Sequence, residues 1–227
     1  MGPGVQPGGM NARELQACAA RLEEFLAKLL GGVGRSERRD HGARYVQGLL
    51  LDGERKSIEP LAKRVPGGNV QAMQQFVGQS PWTWEPVRRL LAQQMEAELV
   101  PAAAWIVDDT GFPKQGQASV GVARQYSGTL GKVGNCQVAV AVHLATEDES
   151  LPLDWALYLP QAWIEDRERC RKAGVPESTP FRSKGELALE LLDRLLGWGL
   201  PPPPILADAG YGNHPEFRQG LVDRKLR

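Results

Sequence analysis

Residues 136–145 read CQVAVAVHLA, a continuous run of small and β-branched apolar side chains broken only by one histidine. A strand with one solvated face alternates between apolar and polar residues, whereas a strand covered on both faces does not. The run therefore predicts a central strand of an α/β sheet. Two further runs, AWIVDD at 104–109 and ILAD at 205–208, predict buried strands that end in acidic residues. LPLDWALYL at 151–159 predicts a strand that forms a hairpin with 136–145 through the charged turn 147–150.

The chain before these strands has helical periodicity. Apolar residues recur at three- and four-residue steps from Leu15 to Leu29, which predicts an amphipathic helix. Further helices are predicted at 38–51, 57–64, 69–77 and 85–99. The short pair 57–64 and 69–77, joined by a Val-Pro-Gly-Gly turn, has a helix-turn-helix-like layout. Helix pairs with glycine turns are also common in proteins that bind no DNA, so this pattern leaves both interpretations open.

The order of elements predicts a division of the chain. We expect a flexible leader at 1–10, a helical DNA-binding region at 11–100 and an α/β core at 101–227. Helices predicted at 161–173, 184–198 and 214–225 give the core the order β-β-β-α-β-α. This order predicts the opening of a ribonuclease-H-like fold, and we expect that core to be incomplete at its C-terminal end.

Composition excludes several classes of protein. The 227 residues carry 27 basic and 27 acidic side chains, which argues against uniform electrostatic attraction to nucleic acid, although residues 1–100 are mildly basic. The three cysteines form no CxxC pair, so neither a disulfide framework nor a zinc knuckle is indicated. No apolar run is long enough to span a membrane. We expect a cytoplasmic, nucleoid-associated protein without membrane contact.

Two acidic residues at predicted strand ends could carry chemistry. Asp108 and Asp208 would converge if their strands are neighbours in the sheet. The carboxyl ends of strands in an open α/β sheet are also where ligands tend to bind. Paired carboxylates repel each other unless a cation lies between them, and Mg²⁺ or Mn²⁺ suits oxygen ligands. Aspartates at strand ends also commonly cap the following turn. The spacing alone leaves these two roles open.

Three longer segments resemble a known family. VDDTGFPKQGQASVGVARQYSGTLGKVGNCQVAV at 107–140, LYLPQAWIEDRERCRKAGVP at 157–176 and ADAGYG at 207–212 are similar to insertion-sequence transposases of the DDE superfamily. The resemblance implies a ribonuclease-H-like core that cuts double-stranded DNA at transposon ends and joins it to a target. It also implies that Asp108, two residues before Thr110, and Asp208 are catalytic metal ligands. Asp109 should point to the opposite side of its strand.

The third catalytic acid of that family is a glutamate on a later helix. The resemblance implies that this chain stops before it, and Glu216 is on the wrong element to replace it. We therefore expect little or no catalysis by this polypeptide alone. One alternative is a truncated, non-catalytic transposase that only binds DNA, or that dimerises with itself or with a full-length transposase and inhibits the full-length protein. Another is that the missing part of the chain is encoded in another reading frame.

Several basic residues are candidates for DNA contact. In the helical region we expect phosphate contacts from Arg38, Arg39, Arg44, Lys63 and Arg64. Lys114, Arg124 and Lys132 belong to a glycine-containing segment, 111–134, which is either a DNA-contacting surface near Asp108 or a flexible solvated loop. Tyr126 matches the family pattern without a role that the sequence defines. Arg182 and Lys184 are expected to be solvated ends of a helix.

Overall fold

The computed structural model describes residues 11–227, except for the side chain of Thr129. The predicted leader at 1–10 lies outside the described residues. The chain divides into two compact units, one ending at Leu90 and the other running from Leu91 to Arg227. The division falls inside a helix, and the predicted functional domains at 11–100 and 101–227 stay a prediction.

The first unit is helical. Its helices are α1 (Ala12–Leu30), α2 (Ser36–Leu50), α3 (Ile58–Arg64), α4 (Val70–Gly78) and the beginning of α5 (Glu85–Glu98). Asn11 caps α1 and forms a capping box with Glu14, and Asn69 caps α4 by accepting from the Ala72 amide at 2.9 Å. Ser57 stands at the start of α3 as predicted, but its side chain makes no capping hydrogen bond there.

The second unit contains a five-stranded mixed sheet. Its strands are β1 (Ala104–Pro113), β2 (Ala123–Ser127), β3 (Lys132–Ala145), β4 (Ser150–Tyr158) and β5 (Ile205–Ala207). β1 lies between β3, to which it is antiparallel, and β5, to which it is parallel. The other edge of β3 pairs with β2 through its first residues and with β4 through the rest. The mixed α/β class is confirmed, and the ribonuclease-H-like topology of the core stays a prediction.

One strand departs from the sequence prediction. β2 and the first residues of β3 form a hairpin where we expected a flexible segment. The sequence ARQYS of β2 has too few apolar residues to predict a strand, since only alternate side chains face the interior. Side-chain amides also order the neighbouring loop: Asn135 donates to the carbonyls of Lys114 and Gly116, and Gln137 donates to that of Val120. The flexible-loop alternative for 111–134 is therefore wrong for its strand residues.

The remaining helices connect and cover the strands. The helix predicted at 161–173 is two helices, α6 (Gln161–Glu165) and α7 (Arg167–Lys172), because Asp166 leaves helical geometry and caps the second. They are followed by α8 (Lys184–Gly197), α9 (Ala209–Gly212) and α10 (Pro215–Asp223). Among the residues that the structure describes, no helix is long and apolar enough to cross a membrane.

One face of the sheet packs against α8. Leu191, Leu192 and Leu195 are fully buried and belong to the same apolar cluster as Trp105 and Val107 of β1. These two β1 residues are two apart, as the strand period requires for one face. The side chains between them point to the other face, so packing against α8 decides which β1 residues face inward.

We expect Leu191→Ala to lower the free energy of unfolding by about 2–5 kcal/mol, because it leaves a cavity in a close-packed core. Val222→Ala is a matched control, since the Val222 side chain is 64% exposed, and we expect it to change stability by less than about 0.5 kcal/mol. Urea denaturation followed by circular dichroism measures both. Equal losses in the two variants would contradict this account of the core.

The start of α8 predicts a pH dependence of stability. Glu186 accepts from the Ser183 amide at 2.7 Å, and this hydrogen bond, followed by that with the Ser183 hydroxyl, lowers the pKa of Glu186. A carboxyl whose pKa is lowered by folding stabilises the protein above its unfolded pKa and loses that contribution as pH falls.

We therefore expect Glu186→Gln, which keeps the acceptor oxygen but not the charge, to lower the urea midpoint at about pH 7. At about pH 3 we expect this difference in midpoint to be smaller, because the Glu186 side chain loses its charge as the pH falls towards and through its lowered pKa. The same difference at both values of pH would show that the charge contributes nothing.

Candidate active site

A cleft of about 840 Å³ opens beside the middle of β1 and the carboxyl end of β5. The beginnings of α8 and α10, the short helix α9 and the end of β2 complete its walls. The polar side chains that line it include Asp108, Asp109, Tyr126, Ser127, Lys184, Asp208, Tyr211, His214 and Glu216. All of these residues belong to the second unit.

Strand register brings the two predicted catalytic acids to the same edge of the sheet. Val107 of β1 pairs with Ala207 of β5, so Asp108 and Asp208 are the next residues along two adjacent parallel strands. Both are exposed in the cleft. Their charges also act on one common neighbour, since each raises the pKa of Tyr211. The sequence predicted that the two acids converge if their strands are neighbours, and the strands are neighbours. The prediction that the first strand ends at these acids is wrong, because β1 continues to Pro113 through its pairing with β3.

Asp208 also caps a turn, which was the alternative role that its spacing left open. Its carboxylate accepts from the Tyr211 amide at 3.2 Å at the start of α9. Gly210 leaves room for this carboxylate, because a Cβ there would lie 2.9 Å from Asp208 Oδ1. A carboxylate that accepts one amide hydrogen keeps further lone pairs, so capping is compatible with binding a cation.

Asp109 has a different environment from Asp108. The strand alternation predicted that the two side chains point to opposite sides, and Asp109 lies on the face that carries Val107. One of its oxygens accepts from the hydroxyl of Tyr211 and the other from the ammonium of Lys184. Its side chain is 28% exposed and that of Lys184 is 36% exposed. The expectation that Lys184 is only a solvated helix end is therefore wrong.

Tyr211 was not singled out by the sequence as a functional residue. Its side chain is almost fully buried and its ring lies 5.5 Å from that of Phe217. Burial raises the pKa of Tyr211 most, followed by its hydrogen bond to Asp109 and the charges of Asp109, Asp108 and Asp208. The hydroxyl therefore stays protonated and acts as a donor. The tyrosine of ADAGYG was visible in the sequence, but its partner on β1 was not.

The donor set in the cleft suits a hard cation with few protein ligands. Magnesium is commonly held by one or two carboxylates, with water and substrate phosphates filling its other positions. Asp108 and Asp208 provide such a pair. Within residues 11–227 no group of three or more histidine, cysteine, aspartate or glutamate residues is arranged to hold a metal ion. Glu216 lines the cleft from α10 without completing such a group.

The basic residues predicted near Asp108 are all exposed. Arg124 is on β2 and Lys132 begins β3, whereas Lys114 follows β1 directly. Arg124 and Tyr126 are alternate residues of β2, so their side chains share one face of that strand. Tyr126 is 63% exposed. DNA contact by these residues stays a prediction.

In the helical unit, three of the predicted DNA-binding arginines also bond to the backbone. Arg38 donates to the carbonyl of Pro81 at 3.2 Å, Arg39 donates to that of Gly34, and Arg64 donates to that of Arg55 at 2.7 Å. Lys63 is exposed and pairs with Glu59 at 2.7 Å. The Arg44 guanidinium lies beside the turn residue Gly67.

Comparison with known proteins identifies the family. The family model described as DDE superfamily endonuclease matches residues 28–227. The chain is also 31% identical over 169 residues to the probable transposase for insertion sequence element IS701 of Microchaete diplosiphon. That match covers 73% of this chain and 41% of the relative, so the chain spans less than half of the relative's length. The chain therefore belongs to the DDE superfamily of endonucleases.

Proposed function

We propose that this chain carries the two aspartates of a metal-dependent phosphoryl-transfer site that cuts DNA at transposon ends and joins it to a target. The observation that supports this most is the register of β1 and β5, which makes Asp108 and Asp208 neighbours in one open cleft. Membership of the DDE superfamily supports the same reaction class.

In such a site, two residues of the cleft would bind the metal and neighbouring backbone amides would orient them. Asp108 and Asp208 would hold Mg²⁺ or Mn²⁺, which when bound activates a water or a 3′-hydroxyl and stabilises the leaving oxygen of a phosphodiester. Asp208 is held in place by the Tyr211 amide, while Asp108 accepts from the Asp109 amide at 2.7 Å. These hydrogen bonds orient both carboxylates before a cation arrives.

Two carboxylates hold a cation less firmly than three. No third ligand joins Asp108 and Asp208 among the described residues, so we propose that the 227-residue chain by itself binds metal weakly and cleaves DNA little or not at all. The second candidate function follows from the same observation. It is a non-catalytic DNA-binding protein that pairs with another copy or with a full-length transposase and inhibits it.

We also propose that the helical unit binds DNA through phosphate contacts. An arginine offers five N–H donors, so Arg38, Arg39 and Arg64 keep donors for phosphate beyond those bonded to the backbone. Lys63 and Arg44 add positive charge. Lys114, Arg124 and Lys132 would contact the DNA backbone from the second unit, where all three are exposed.

The first test is metal binding by the 227-residue chain. We expect Mn²⁺, followed by electron paramagnetic resonance, to bind weakly, with a dissociation constant of about 10⁻⁴–10⁻³ M, the range of the weakest calcium sites built from oxygen ligands. Asp108→Asn and Asp208→Asn should each remove most of this binding, whereas Asp148→Asn, in the exposed β3–β4 turn, should not. Equal binding by all four proteins would contradict the proposed site.

The second test is the salt dependence of DNA binding. We expect the affinity of the 227-residue chain for duplex DNA to fall steeply with salt, because phosphate contacts release counterions. Lys63→Gln should reduce the slope of log K against log salt by about 1. Glu59→Gln is the matched control, since it removes the partner of Lys63 but not the positive charge. Binding that barely responds to salt would contradict phosphate recognition.

A further inference from the structure

A small polar network joins the two segments that carry the predicted metal ligands. Asp109 of β1 accepts from Tyr211 of α9 and from Lys184 at the start of α8. Three separate elements therefore meet at one carboxylate. Because its two oxygens are both engaged by donors of this chain, Asp109 differs from Asp108, whose side chain is exposed in the cleft.

Tyr211 connects this network to Asp208. Its hydroxyl donates to Asp109, while its amide donates to the Asp208 carboxylate at 3.2 Å and to the Asp208 carbonyl at 3.1 Å. The ring is buried and lies 5.5 Å from that of Phe217, so packing restricts the movement of the hydroxyl relative to the amide. One buried side chain thus ties the turn that carries Asp208 to the strand that carries Asp108.

The position of Lys184 is electrostatically unfavourable for its own helix. It is the first residue of α8, where the helix dipole favours negative rather than positive charge. Ser183 and Glu186 satisfy the helix end through their capping box, so capping does not require Lys184. Its ammonium instead pairs with Asp109 and lies 5.7 Å from the centre of the Tyr158 ring. The positive charge of Lys184 therefore pairs with a carboxylate of β1 and does not stabilise its own helix.

We propose that Asp109, Tyr211 and Lys184 form a positioning network that holds the Asp208 turn in register with the part of β1 that carries Asp108. The network fixes the spacing at which Asp108 and Asp208 meet a divalent cation, and Asp109 itself is not a ligand. This inference rests on the proposed metal-binding role of Asp108 and Asp208. It separates the two adjacent acids of the segment VDDTG by function: Asp108 binds and Asp109 positions.

Tyr211→Phe is the decisive variant, because it removes one hydroxyl, retains the ring and cannot remove a ligand oxygen from the carboxylates. We expect the Mn²⁺ affinity of the 227-residue chain to fall by about tenfold, as is usual when a group that orients metal ligands is lost. Lys184→Met should act in the same direction. Tyr45→Phe in the helical unit and Lys172→Met, whose side chain is exposed, are matched controls and should bind Mn²⁺ as the wild type does.

Amide hydrogen exchange provides a readout that needs no metal. The amides of residues 211–213 donate hydrogen bonds within the Asp208 turn. We expect these amides to exchange faster in Tyr211→Phe than in Tyr45→Phe when the two variants are compared at equal distance below their thermal unfolding midpoints. Unchanged exchange together with unchanged Mn²⁺ affinity would overturn the proposal. Faster exchange with unchanged affinity would also overturn it, since the network would then stabilise the turn without positioning a ligand.

Asp109→Asn distinguishes positioning from ligation. If Asp109 positions, the amide oxygen still accepts and Mn²⁺ affinity should fall no further than in Tyr211→Phe. A loss as complete as that of Asp108→Asn, with Tyr211→Phe unaffected, would make Asp109 a ligand and overturn the proposal. If the wild type binds no Mn²⁺, the proposed function fails, and the exchange of residues 211–213 alone decides whether the network holds the turn.

Discussion

The parallel pairing of β1 with β5 is the constraint on which the site depends. It spans only three residue pairs, from Trp105 with Ile205 to Val107 with Ala207. A shift of one residue would turn the side chains of β5 to the opposite face. Asp208 would then leave Asp108 and the apolar Ile205 would leave the core. Short as it is, this pairing decides whether two acids 100 positions apart share a cleft.

The packing of α8 against the sheet stabilises the register of β1 with β5. Its fully buried leucines select Trp105 and Val107 as the inward residues of β1, and strand alternation then assigns Asp109 to the same face. At this end of the sheet the core gives way to the cleft, so Asp109 meets polar partners instead of leucine. Leaving this partly buried carboxylate unpaired would be costly. The hydrogen bonds from Lys184 and Tyr211 offset that cost.

Much of the fold could be predicted because its signals are local. The apolar run at 136–145, the acidic residues after two shorter apolar runs and the charged hairpin turn each arise from a few adjacent residues. β2 could not be predicted in this way. Its polar sequence becomes a strand only because the first part of β3 offers it an edge, and long-range pairing of this kind leaves little trace in local composition.

The sequence by itself determined the mixed α/β class, the family resemblance and the two acids, Asp108 and Asp208, that neighbouring strands bring to one cleft. Only the tertiary structure decided the roles of their neighbours. Asp109 differs from Asp108 through its contacts with Tyr211 and Lys184, which are 102 and 75 positions away. No periodicity records such contacts, because hydrogen bonds between side chains depend on how helices and strands pack. That packing brings the three elements together, and it gives two chemically identical aspartates different environments.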